Sequence, residues 1–151
     1  MSKVKWAFKN FEPEEFICKC YERCSHKHIH VLHGRIPEMA QRRRDELGKP
    51  LTITSALRCP AWNSHPSIGG IRQSFHIKGL AFDISFEGID PVQEARHWAH
   101  GMGHRGGLIA YPEQGFVHID LGPGRSDNGV RHFVMEGGMM HRVKLADAAN
   151  V

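Results

Sequence analysis

The chain has 151 residues, 40% of them hydrophobic and 24% charged, with a formal net charge of +4. That length supports one domain with a sizeable core and not two of ordinary size, so residues 1–151 read as a single domain. No run approaches the roughly eighteen apolar residues of a membrane-spanning helix, and the N-terminal MSKVKWAFKNFEPEEF has positive charge without the apolar stretch of a secretory signal, so synthesis in the cytoplasm is expected.

Residues 1 to 10 read as an extended lead-in, and Phe11 to Phe16 as the start of a short helix, with Pro13 in its first turn and acids near the positive end of its dipole. Next comes CKCYERCSHKHIHVLH, which holds Cys18, Cys20 and Cys24, with Cys59 the fourth cysteine of the chain. Clustered Cys and His in a cytoplasmic protein favour a metal over a disulfide, yet the spacing fits no standard finger. The reading taken is reduced, mostly buried thiols, with a second structural metal or a Cys18 to Cys59 staple as the alternative.

Ile36 to Leu47 is a helix, with Pro37 early, Gly48 just past its end and Pro50 beyond. Arg42, Arg43 and Arg44 fall on it and spread around its circumference. They read as a solvated face, so no nucleic-acid partner is expected. Leu51 to Ser55 is a β-branched, alternating strand that delivers Arg58 into a loop full of breakers, CPAWNSHPSIGG, where Gly69 and Gly70 turn the chain. In SFHIKGLAFD, Gly79 makes a tight turn with His76 on its lip, and the strand that follows, up to Phe86, carries Asp83.

Asp90, Pro91 and Gln93 open a helix running to about Gly101. Leu108 to Tyr111 and Phe116 to Leu121 are strands, the second carrying His118, and Gly129 to Met135 forms a last edge strand. The tail from Met139 gives no signal. Strands and helices do not alternate strictly, so the expected fold class is α+β, an antiparallel sheet with helices packed on one side.

With twelve histidines in the chain, any one alone is more readily a surface or core residue than a ligand. His76, Asp83 and His118 are better placed, because each lies at a turn or on a strand among apolar neighbours. A carboxylate inside LAFDISF is strongly disfavoured without a cation. Two imidazoles and one carboxylate leave a fourth position for water, the ligand count of a catalytic zinc site. Arg58 is the candidate partner of a developing oxyanion or a substrate carboxylate, weighed evenly against a plain loop arginine. The proton acceptor is Asp120, on the same strand face as His118, or Glu113 in the preceding loop; Asp120 could instead hold a ligand in place. Ser74 could meet substrate, although a serine closing a turn is the favoured reading.

The segment SALRCPAWNSHPSIGGIRQSFHIKGLAFDIS, followed by FVHIDLGPGR, resembles the zinc D-Ala-D-Ala carboxypeptidase family, especially its small phage endolysins and cell-wall endopeptidases. Ser55, Arg58, Asn63, Gly69, Gly70, Ser74, His76, Gly79, Ala81, Asp83, Val117, His118 and Asp120 fall on the family pattern, which covers roughly residues 8 to 133. The resemblance implies zinc held by His76, Asp83 and His118, Arg58 and Ser74 at the substrate, and the compact fold shared with hedgehog-type domains. Ala56 and Leu57 replace a usual Gly-Tyr, Gly115 stands where relatives often carry an acid, and Arg131-His132-Phe133 stands where an Arg-x-Trp often closes the domain. The function expected is a monomeric zinc peptidase acting on peptidoglycan stem peptides, delivered to the wall by a phage or prophage route. The rival readings are a catalytically silent zinc-containing binding module and a nucleic-acid-binding Cys/His knuckle.

Overall fold

In the computed structural model of the protein, residues 6–68, 70, 74–122, 131–143 and 145 are described. Gly69, the first five residues of the lead-in, the start of the expected strand at Gly129 and the end of the tail lie outside them. The chain is α+β, with three α-helices, α1 (Arg35–Leu47), α2 (Pro60–Asn63) and α3 (Pro91–His100), among the described residues. The strands are β1 (Thr52–Ser55), β2 (Ala81–Ser85), β3 (Gly107–Tyr111), β4 (Phe116–Asp120), β5 (Arg131–Glu136) and β6 (Met139–Arg142). They form one six-stranded sheet in the order β1-β2-β4-β3-β5-β6. No helix among the described residues is long and apolar enough to cross a membrane.

The sheet is mixed, which corrects the expectation of a wholly antiparallel one. β5 runs parallel to β3, with Leu108 opposite His132 and Ala110 opposite Val134. β5 is also not an edge, because Gly137 and Gly138, at φ 58° and 73°, close a tight turn that lays β6 beside it. Two successive positive φ values are the signature of a two-residue hairpin, and glycine reaches them without a Cβ penalty. The stretch read as Phe11 to Phe16 shortens to a 3-10 turn, Pro13–Glu15. The loop of breakers contains α2, begun by Pro60 and capped by the sulfur of Cys59, which accepts from Trp62 N at 3.4 Å.

Period-two alternation divides the sheet into two functional faces. On one, Phe82, Ile84, Leu108, Ala110, Val117, Ile119 and Val134 join a core with Ile36 and Ala40 of α1 and Ala95 and Trp98 of α3. The Trp98 and Phe82 rings meet edge to face at 5.9 Å, a contact that adds about 0.5–1.5 kcal/mol beyond the area buried. Arg43 of α1 and Glu94 of α3 form a buried bidentate pair at 2.7 Å, and Trp98 Nε1 donates to the same carboxylate at 3.0 Å. Arg43 is therefore not part of a solvated face. The opposite face carries Asp83, Ile109, Tyr111, Phe116, His118 and Asp120, and it lines a groove.

His132 of β5 is buried, and its Nδ1 accepts from Leu145 N at 3.3 Å. Burial, with the His104 imidazole nearby, brings its pKa from 6.5 down to about 4. Between those values the unfolded chain binds a proton that the folded chain refuses, so stability is full above about pH 6.5 and falls as the pH drops towards 4. We expect acid unfolding followed by circular dichroism to be steeper across that window for the wild type than for His132→Gln. Equal slopes would show that His132 is not held neutral.

Candidate functional site

The groove is built from the turn before β2 and from the pocket-facing side chains of β2, β3, β4 and β5. Its volume is about 310 Å³. A larger cavity of about 390 Å³, around Arg35, Arg42, Trp98 and His104, shares no lining residue with it and contains none of the predicted site residues. The turn at 74–79 is fixed by Gly79, whose φ of 70° puts it in the left-handed region and whose missing side chain would overlap Val31 O at 2.2 Å. Its carbonyl also accepts from His33 N at 2.9 Å. Only glycine fits both demands.

His76 Nδ1 donates to Ala56 O at 2.6 Å, and His118 Nε2 donates to Asp120 Oδ2 at 2.9 Å. A carbonyl and a carboxylate can only accept, so these contacts assign the proton of each ring to its outward nitrogen. In the neutral rings the inward nitrogens carry lone pairs. They face each other at 3.2 Å and face Asp83 Oδ1 at 3.1 Å from His76 and 2.9 Å from His118. Register produces the convergence, since Asp83 lies directly opposite His118 between β2 and β4. Three potential donors to a metal converge, all on buried residues, and a divalent cation would satisfy them together. The donor set of two imidazoles and one carboxylate therefore fits a divalent metal, with room on the groove side for another ligand.

With no metal bound, a proton on His118 takes the place of the cation. Burial holds His76 below the usual imidazole range against the pull of Asp83. Burial alone would lift the Asp83 carboxyl, but the two imidazoles outweigh it and hold the group well below the usual carboxylate range. His118 is depressed by burial and raised more strongly by Asp120 and Asp83, ending at about 9.

Arg58 lies beside the cluster. Its Nε donates to Ser55 Oγ at 2.9 Å, Nη1 to Asn63 Oδ1 at 3.1 Å and Nη2 to Asp83 Oδ2 at 3.2 Å. Among the described residues, these bonds occupy three of the five N–H groups of a guanidinium. Asn63, which falls on the family pattern, is buried at the end of α2 and supports Arg58, a contact the sequence did not reveal because the reading there is a loop. Ser74 lines the groove, and its Oγ accepts from His76 N at 3.2 Å, which makes it the closing residue of the ligand turn.

Neither expected proton acceptor stands free in the groove. Asp120 lines it, but Oδ2 is taken by His118, and Oδ1 accepts from Gly107 N at 3.2 Å, Gly122 N at 3.0 Å and the Arg131 guanidinium. Glu113 accepts from Gly137 N at 2.8 Å and is absent from the groove lining, because the turn before β4 directs it to the β5–β6 hairpin. Two further lining residues were missed as contributors. Arg131 packs its guanidinium 4.6 Å from the Phe75 ring, and Tyr111 stacks on Phe116 at 4.2 Å. Burial raises the Tyr111 pKa, so its hydroxyl stays protonated and can donate.

A groove with three converging donors and an arginine beside them defines the site of a metallopeptidase. The sequence profile of the family described as Peptidase M15 matches residues 9–120. The chain belongs to the peptidase M15 family. It is 39% identical over 80 residues to the peptidoglycan L,D-endopeptidase MepK of Escherichia coli (strain K12), covering 51% of this chain and 43% of that protein. It is 36% identical over 70 residues to the probable peptidoglycan L,D-endopeptidase MepK of Haemophilus influenzae, covering 46% of this chain and 37% of that one. The match thus spans less than half the length of these relatives.

Proposed function

We propose that this chain is a zinc-dependent peptidase that cleaves an amide bond within peptidoglycan stem peptides, with His76 Nε2, His118 Nδ1 and the Asp83 carboxylate as the metal ligands. The observation that carries the reading is the convergence of those three acceptors at the groove. The names of the relatives favour cleavage inside the peptide over removal of a terminal D-alanine. The groove lining also includes Phe75, Tyr111, Met135 and Met140, a largely apolar surface against which peptide could lie.

When bound, the metal would polarise the carbonyl and lower the pKa of water. The chain's own residues do the rest. Arg58, still holding two unengaged N–H groups among the described contacts, points permanent positive charge at the substrate oxygen. Its bond to Asp83 fixes the distance between that charge and the ligand cluster. Tyr111 offers a hydroxyl hydrogen to the same groove. Asp120 keeps the His118 proton on Nε2, so that Nδ1 always faces inward, and it acts as a positioning residue rather than as a free base.

Digestion of purified muropeptides, read by mass spectrometry with and without a chelator, tests the reading. A new product that disappears on chelation and returns with added zinc is the expected result. Bound zinc with no product from any muropeptide would favour the silent binding module instead. Asp120→Asn, which keeps the volume and removes the charge that orients His118, is expected to lower metal affinity or activity by about 10–100-fold. An unchanged zinc dissociation constant and an unchanged rate would remove Asp120 from the assembly.

A further inference from the structure

We propose that Cys18, Cys20, Cys24 and Cys59 form a second, closed site for a thiophilic divalent cation, of which zinc is the first choice, and that it fastens the N-terminal segment to the loop carrying Arg58. The four sulfurs lie within 4.8 Å of one another. Cys20 and Cys24 Sγ are 3.7 Å apart. Four thiolates around a zinc ion with bonds of about 2.3 Å place the sulfurs about 3.8 Å apart at the corners of a tetrahedron. A disulfide instead needs a separation of about 2.05 Å, and all four cysteines are free.

Backbone N–H groups point at two of the sulfurs. Cys59 N donates to Cys18 Sγ at 3.4 Å, and Trp62 N donates to Cys59 Sγ at 3.4 Å. Backbone N–H groups aimed at sulfur favour its anionic form. Cys18, Cys20 and Cys59 are buried, with Trp62 packed against them, while Cys24 is partly exposed and gives a path of entry. Four anionic sulfurs packed this closely repel one another, and a cation among them reverses the sign of that interaction. Each cysteine that binds the metal releases its proton to solvent. With all four positions supplied by protein, no place remains for water or substrate, so the role is structural.

The ligands come from two distant stretches, and the loop between Cys18 and Cys24 is already closed by the Cys18 N to His26 O hydrogen bond at 2.9 Å. Cys59 directly follows Arg58 and caps the helix that ends in Asn63. A cation here therefore anchors both the arginine and the asparagine that holds it. This assignment replaces the reading of the cysteines as inert buried thiols, and it does not depend on the groove binding a metal.

Cobalt loading of the full-length chain tests it. The folded wild type is expected to show the intense near-ultraviolet bands of thiolate-to-cobalt charge transfer, and His76→Ala, altered only in the groove, should retain them. The Cys20→Ser/Cys24→Ser variant should lose the bands. In the zinc-loaded wild type all four thiols should react slowly with a thiol reagent until a chelator is added. A wild-type spectrum without thiolate bands, thiols that react equally fast with and without zinc, or an intact mass reduced by the hydrogens of a disulfide would each overturn the site. The wild-type spectrum and thiol titration decide the question even if the cysteine variant does not fold.

Discussion

Asp83→Asn is expected to lower kcat/KM on a stem peptide by about 10³-fold or more, equivalent to about 4 kcal/mol of transition-state stabilisation. The substitution keeps the shape of a residue that is 3% exposed and removes only its charge. Two consequences follow at once. The inward nitrogens of His76 and His118 lose the anion between them, which would weaken the hold on a dication. Arg58 loses the carboxylate that receives Nη2, so its guanidinium is no longer tethered at the cluster. Zinc content should fall together with activity, and excess zinc should restore part of the rate. A variant that keeps a tenth of the wild-type rate at limiting zinc would show that Asp83 is not a ligand.

Arg58→Lys should lower kcat/KM by about 10²-fold while leaving zinc content unchanged, and Arg58→Ala by about 10²–10³-fold. Lysine preserves the charge, yet a single ammonium cannot reproduce a planar fork that bonds Ser55, Asn63 and Asp83 in three directions. The division of the loss distinguishes two roles for the arginine. If Arg58 stabilises the oxyanion, kcat falls and KM changes little; if it anchors a substrate carboxylate, KM rises and kcat holds. A full rate in Arg58→Lys on both parameters would rule out either role.

What the sequence revealed about the site followed from short-range geometry. His118 and Asp120 share a strand face because they are two residues apart, and His76 precedes a turn that only glycine makes. Each inference needs only local spacing. The parts that escaped depend on contacts distant in sequence. Parallel pairing of β5 with β3 leaves no local mark on either strand, and Arg43 looked like surface until α3 brought Glu94 against it. α2 was hidden by its length, since a four-residue helix has no periodicity to detect. β6 was readable but missed, because the Gly137-Gly138 pair between two short β-prone runs is itself a hairpin signal. Asp120 shares a face with His118, and the sequence leaves it two roles, proton acceptor or holder of a ligand, because spacing shows where a carboxylate is and not how many donors it already serves.

The family profile ends at residue 120, yet Arg131, Met135 and Met140 from β5 and β6 form one wall of the groove. The candidate metal ligands and part of the groove lining thus reside in separable stretches of chain, joined by the Arg131 contact to Asp120. On the proposed reading, substitutions on the methionine side would retune which peptide is accepted while the candidate ligands stay as they are. The arginine is the point at which such drift would begin to cost turnover.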